Sequence, residues 1–534
     1  MKKIILLISL FVSVALYSQQ IIPYLQNPAP DSIRINWVSE DIEALNNLKV
    51  IYGESTEKLT MRAIGDYVSF LDLEDGYKQN YFYCNAILKK LKPDTRYFYK
   101  IINGSAESQV YSFRTQPKNG SKDIFRFLIL GDHQLPDDRY IRLMKAAKEV
   151  CEDKYGAPIE NHIRFITNVG DQVDNSSLKQ YKEIHFKQSE LLSPNLPITT
   201  IIGNHETYGT LGLKAYENHF FYDDTAYKGI KSGTDFYYAF QSGRVLFLMM
   251  SSEPVHTNDT QLAWAKKVIE TAKNDLEIDW ILSYNHRPIQ AEQYIGDISV
   301  WVRDQVIPLL QTTHKSVLNV GGHHHIYHKG MLRDYPMYHI ISGGASWDQR
   351  WGMSREKEFD DVEKTIDYFP FQIVEFDPAK QSMTVETYVI GNEKEIFEKA
   401  RFIDKFVRVF GQEKPQKPSV INIKENQEIK LPFIFESSQY KSNTEFGHNS
   451  IQFQIASKSD FVDPKLDMIR YCEKIYGPHD EGKLNDINKF VDIFRLKVDK
   501  DILPSGEYYI RIRHRDNNIE WSPWSDIVRF KLAN

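Results

Sequence analysis

From about residue 122 the chain carries continuous apolar runs: IFRFLIL, IRFITNV, PITTII, RVLFLMM, DWILSY and SVLNV. Runs with no polar alternation read as strands buried on both faces. The intervals DDRYIRLMKAAKEVCEDKYG and TQLAWAKKVIETAKND have helical spacing, so helices are expected to cover the sheet. Five of the runs end in residues of restricted type: Gly131-Asp132-His133-Gln134, Gly170-Asp171-Gln172-Val173-Asp174-Asn175, Gly203-Asn204-His205-Glu206, Asn285-His286-Arg287-Pro288 and Gly321-Gly322-His323-His324-His325. In open α/β sheets the strand C-termini line the ligand crevice, so these five loops are able to converge. Any one of them alone reads as chance loop polarity; five in succession do not.

Carboxylates, an amide oxygen and imidazoles, with no thiolate, suit divalent or trivalent metals such as Fe, Zn or Mn. Two metals about 3.5–4 Å apart clamp a phosphoryl group in an in-line displacement. Such a pair needs a bridging carboxylate, and Asp171 is the natural candidate.

The flanks differ in character. SIRINWVS alternates Ile33, Ile35 and Trp37 against Arg34 and Asn36, and turns separate further short strands up to Pro117, as in a small β-sandwich. FQIVEFDPAKQSMTVETYVI reads as a hairpin, followed by a charged stretch ending in a proline-bearing linker near 415–418. Beyond it, GEYYIRIRHRD sets Tyr508, Ile510 and Ile512 on one face and Tyr509, Arg511 and Arg513 on the other. WSPWS follows, and arginines stacked over Trp521 and Trp524 would form a cation–π ladder, about 0.5–1 kcal/mol per exposed contact.

The N-terminus, MKKIILLISLFVSVALYSQQ, has two lysines, a short apolar core and small residues at Ala15 and Ser18. It reads as a secretory signal over residues 1–18, with too short a core for a membrane span. A formal charge of −6 argues against a nucleic-acid binder. Three widely spaced cysteines make no disulfide scaffold.

The series GDHQ, GDQVDN, GNHE, NHRP and GHHH resembles the calcineurin-like metallophosphoesterases, in the purple acid phosphatase branch. GHHHIYHK is similar to that branch's GHxHxYER signature, and PYLQNPAPDSIRINWV with LKPDTRYFYKI and YSFRTQP is similar to its fibronectin-like leading domain. The resemblance implies an α/β fold: a four-layer metallophosphoesterase β-sandwich with flanking helices at 118–410. Fibronectin type III-like β-sandwich domains at 19–117 and 411–534 would flank it. It implies Asp132 and His325 on a first metal, Asp171 bridging, and Asn204, His286 and His323 on a second. His205 would contact the phosphate or protonate the leaving oxygen. His324 would point away, and His328 would lie near the site or at the surface.

The pattern departs at the first metal, where the family places a His two residues after the first Asp or a Tyr three after the bridging Asp. Gln134 and Asp174 stand there instead. Asp174 ligates or supports its neighbours, Gln134 offers its amide oxygen, or the first metal is weakly held. His133 is a candidate substrate contact.

The resulting expectation is an exported, periplasmic or secreted phosphatase holding two metal ions and hydrolysing phosphate monoesters of a small-molecule substrate through a metal-bound hydroxide, with His205 and Asp171 as catalytic residues. Its rivals are a phosphodiesterase or nucleotidase on the same core, and a non-catalytic surface-binding protein with a degenerate core.

Overall fold

The computed structural model describes residues 21–70, 81–291, 297–345, 361–478 and 482–533. The expected export signal lies outside the described residues.

Two sheets form the middle of the protein. One has six strands in the spatial order 198–200, 163–168, 125–130, 370–377, 382–391 and 396–409. The other begins 238–242, 245–249, 280–284, 316–321, 338–342, 327–331 and 362–366. Alternation with period two explains why the runs look wholly apolar. Phe127 and Ile129 point into the space between the sheets, where they meet Phe165, Phe247 and Leu282. Leu128 and Leu130 point outward to the helix Arg139–Tyr155, packing with Leu143, Ala147 and Cys151. Leu246, Leu248 and Ile281 meet Trp264 and Val268 of the helix Asp259–Asn274 in the same way. That helix starts at Asn258, whose side chain accepts from the N–H groups of Thr260 and Gln261 at 3.1 Å. The result is a mixed α/β fold of four layers, helix–sheet–sheet–helix.

Within the first sheet 125–130, 163–168 and 198–200 run parallel, and within the second 245–249, 280–284 and 316–321 do. All five metal-competent segments therefore leave from strand C-termini.

The N-terminal part is a β-sandwich closed around Ile35, Trp37, Val50, Tyr99 and Phe113. The charged stretch after residue 391 is not a simple lead into a linker: Ile396–Val409 is a fourteen-residue strand paired along Ser382–Gly391. Its buried Asp404 is matched by Lys364 Nζ at 2.8 Å, Lys329 Nζ at 3.2 Å and the Tyr327 hydroxyl at 2.7 Å, so charge in this strand does not oppose its burial.

The C-terminal part is a second sandwich with Tyr508, Ile510 and Ile512 in its core. On the opposite face Arg511 lies 4.1 Å from the Trp524 ring, Arg513 4.3 Å from Trp521 and 4.4 Å from Trp524, and Arg515 4.6 Å from Trp521. This sandwich is tied to the middle part. Ile475–Gly477 pairs in parallel with Val362–Ile366 and extends the second sheet. Arg515 Nη2 reaches Asp361 Oδ1 at 2.9 Å in the buried seam, and Trp521 Nε1 donates to the Arg333 carbonyl at 2.6 Å. Among the described residues no helix is long and apolar enough to cross a membrane.

Candidate metal centre

The five loops meet. One trio, Asp132, Asp171 and His325, and a second, Asp171, His286 and His323, each bring their carboxylate oxygens and ring nitrogens within 4.8 Å of one another. Asp171 belongs to both. Asn204 joins the second, its Oδ1 3.1 Å from His286 Nε2, while its Nδ2 donates to the Tyr208 hydroxyl at 2.9 Å.

The backbone is bent to achieve this. Asp132, Asp171 and His323 have φ of 52°, 50° and 70°, the left-handed region that costs a non-glycine residue about 1–3 kcal/mol. Three ligand candidates share that region, and the surrounding structure must hold them there. Two glycines allow the close approach. A Cβ on Gly203 would lie 2.1 Å from Asp171 Oδ1, and one on Gly322 would lie 2.5 Å from Asp132 Oδ2.

Hydrogen bonds fix the ring nitrogens. His286 Nδ1 sits 2.8 Å from the Val169 carbonyl, so it carries the proton and Nε2 is left facing Asp171 Oδ2 at 3.2 Å. The His323 backbone N–H donates to Asp132 Oδ1 at 2.9 Å. Glu206, which had no expected role within its Gly203-Asn204-His205-Glu206 segment, is fully buried and accepts three backbone N–H groups, from Gly203 at 2.6 Å, Gln172 at 2.7 Å and Asp171 at 3.0 Å. It locks two of the ligand loops together. The only prior sign of it was an acid directly after Asn204-His205.

His205 Nδ1 lies 2.7 Å from the Asp174 carbonyl and 3.4 Å from its carboxylate, with Nε2 4.0 Å from Asp171 Oδ2. Asp174 thus faces His205 and lies outside both trios. The Gln134 amide nitrogen Nε2 lies 3.4 Å from His325 Nε2, close to the first trio.

One expectation is corrected. His133 is fully buried, stacked on Tyr140 at 3.8 Å, with Nε2 3.0 Å from His185 and Nδ1 3.2 Å from Asn168. Both nitrogens are engaged inside the protein, so His133 is not placed to touch a substrate. His324 and His328 are also buried, His328 within the strand Tyr327–Met331, so neither is a surface residue.

The electrostatics ask for a cation. Burial pushes the Asp132 carboxyl well up, and Asp171 next to it adds to this. At Asp171 burial is outweighed by His286, which draws that carboxyl down. Burial disfavours charge on His286 too, yet Asp171 and Asp132 push it up to about 10. Burial holds His325 down at about 3, in the neutral form that ligates. Among the described residues Asp132 Oδ2 is buried without a hydrogen-bond partner, which an acid oxygen tolerates badly unless a cation meets it. This donor set, all oxygen and imidazole nitrogen with one shared carboxylate, fits a pair of divalent ions.

Comparison with known proteins agrees. Residues 18–115 match the purple acid phosphatase N-terminal domain, and residues 125–327 match the calcineurin-like phosphoesterase family. Two uncharacterized Mycobacterium tuberculosis proteins, MT2654 and Rv2577, are each 21% identical over 365 residues, 62% of this chain and 64% of theirs. The chain thus spans less than two thirds of the length of these curated relatives. The structure of purple acid phosphatase PPD1 from yellow lupin (Lupinus luteus) superposes with a TM-score of 0.60 at 17% identity, covering 72% of this chain and 74% of that one. PhoD superposes at 0.52 and 11% identity, covering 73% and 90%. At these identities the likeness is one of fold. The chain thus carries a purple acid phosphatase N-terminal domain followed by a calcineurin-like phosphoesterase domain, the two matches together spanning more than half of its length.

Proposed function

We propose that the protein is an exported, two-metal phosphatase acting on phosphate monoesters. The observation that carries this reading is the pair of ligand trios sharing Asp171, with the His205 imidazole at their edge. Asp132 and His325 would hold one ion, with Gln134 beside them, and Asn204, His286 and His323 the other. When bound, such a pair supplies Lewis acidity toward a phosphoryl oxygen and acidifies water to a nucleophile.

The chain's own residues do the rest. Asp171 keeps negative charge between the two positions and accepts the His205 backbone N–H at 3.1 Å. The Asp174 carbonyl accepts the Nδ1–H of His205, which fixes the ring; as an imidazolium it then carries a second proton on Nε2, which it hands to the departing alcohol oxygen. The export reading rests on the N-terminal lysines and apolar core, and suits substrates that do not cross membranes.

A nucleotide or diester substrate is the second reading. Tyr208 favours it: the residue is 44% exposed and its ring lies 4.9 Å from that of His205, where a base or aryl group is able to stack. Turnover of p-nitrophenyl phosphate against its bis-ester separates the two. For the main reading, Asp171→Asn and His323→Ala are each expected to lose bound metal and hydrolysis together. Full activity with unchanged metal content in either variant refutes it, and a single tightly held ion without turnover would favour a non-catalytic protein.

A further inference from the structure

We infer that Asp297 is a positioning residue for the second metal, acting through His323; the inference rests on the two-metal reading above. The two imidazoles of the second trio are oriented by different acceptors. His286 uses the uncharged Val169 carbonyl at 2.8 Å. His323 Nε2 instead lies 2.7 Å from Asp297 Oδ2. A neutral imidazole has one N–H. With that proton donated from Nε2 to Asp297, Nδ1 is the nitrogen whose lone pair is left for a cation.

Asp297 is itself held. Its Oδ1 pairs with Arg287 Nη1, and Arg287 Nε lies 3.1 Å from Glu253 Oε1. Glu253 is buried, and Ser252 Oγ accepts the Arg287 backbone N–H at 2.8 Å, so Arg287 is held at both its side chain and its backbone. Arg287 directly follows His286. One loop thus supplies a ligand of the second trio and, through its next residue, steadies the carboxylate that orients another.

The arrangement has a clear physical effect. A carboxylate behind a ligating imidazole fixes its tautomer and ring angle and makes it a better donor; losing such a partner weakens metal binding about 10–100-fold. The Asp297 side chain is 44% exposed, so replacing it leaves no buried gap. Asp297 stands apart from the five motif loops, in a stretch with no readable pattern (AEQYIGDISV), which is why only the fold reveals it.

The test is a Mn²⁺ titration of the full chain after chelation, followed by calorimetry, on the wild type, Asp297→Asn and Asp297→Ala. Asn keeps an acceptor without the charge, whereas Ala removes both. The expected result is two equivalents in the wild type. One of them should weaken about 10–100-fold in Asp297→Ala and less in Asp297→Asn. The other equivalent and the melting temperature of the metal-free protein should stay unchanged. Unchanged affinities, equal weakening of both equivalents, or a lowered metal-free melting temperature overturns the inference. A wild type that binds no metal pair instead refutes the parent reading, a distinguishable outcome.

Discussion

Replacing Glu206 by Gln tests whether the ligand loops are held together by a buried negative charge. Two effects oppose each other at this residue. Burial, reinforced by Asp171, pushes its carboxyl up to about 8, while the backbone N–H groups of Gly203 and Gln172 pull it down. A protonated acid needs an acceptor for its own hydrogen, and all three neighbours here are donors at 2.6–3.0 Å. The ionised form fits this geometry. Gln then retains one acceptor oxygen. If that oxygen takes the place of Oε2, it keeps the N–H groups of Gly203 and Asp171 but turns its NH₂ on that of Gln172. Loss of charge assistance and one unsatisfied buried donor together cost roughly 2–4 kcal/mol. Urea unfolding of the metal-free protein measures the stability term. Metal content and p-nitrophenyl phosphate turnover report whether Asp171 and Asn204 stay in place. Destabilisation below about 0.5 kcal/mol with normal turnover would mean that a neutral acid already occupies the site, and the argument from donors fails.

Two other outcomes follow from the same geometry. His205→Ala should slow hydrolysis of alkyl phosphates about 10²–10⁴-fold, yet slow p-nitrophenyl phosphate far less, because nitrophenolate leaves without a proton; equal slowing of both would remove His205 as the acid. In the C-terminal sandwich, burial holds His448 down at about 4 and His514 at about 3, with His448 adding to the effect on His514. Unfolded histidines titrate near 6.5, so between there and about pH 4 the unfolded chain binds more protons. Stability is then full above pH 6.5 and falls by up to about 1.4 kcal/mol per pH unit per histidine as pH drops. Urea midpoints at pH 7.5 and 5 check this. His514→Gln should flatten the dependence, and an unchanged slope contradicts it.

Much of the site was legible because it sits where chain chemistry changes abruptly. An apolar run followed by Gly-Asp or Gly-Asn-His announces itself without coordinates, and the parallel order of the strands makes such ends meet. The same logic reached the arginine–tryptophan ladder, since alternation along 506–516 places all its arginines on one face. The fourteen-residue strand at 396–409 was hidden because its buried charges have partners far away in sequence, at Lys329 and Lys364.

The sequence by itself determined the sheet-forming runs, the flanking sandwiches and the residue types able to bind metal, because those follow from period, turn chemistry and ligand affinity within short windows. Only the tertiary structure decided that Asp171 belongs to both trios, that His133 turns inward, and that Glu206 and Asp297 brace the site. Those facts depend on distances between loops far apart in sequence, 191 residues from Asp132 to His323, and on backbone angles that no local pattern encodes.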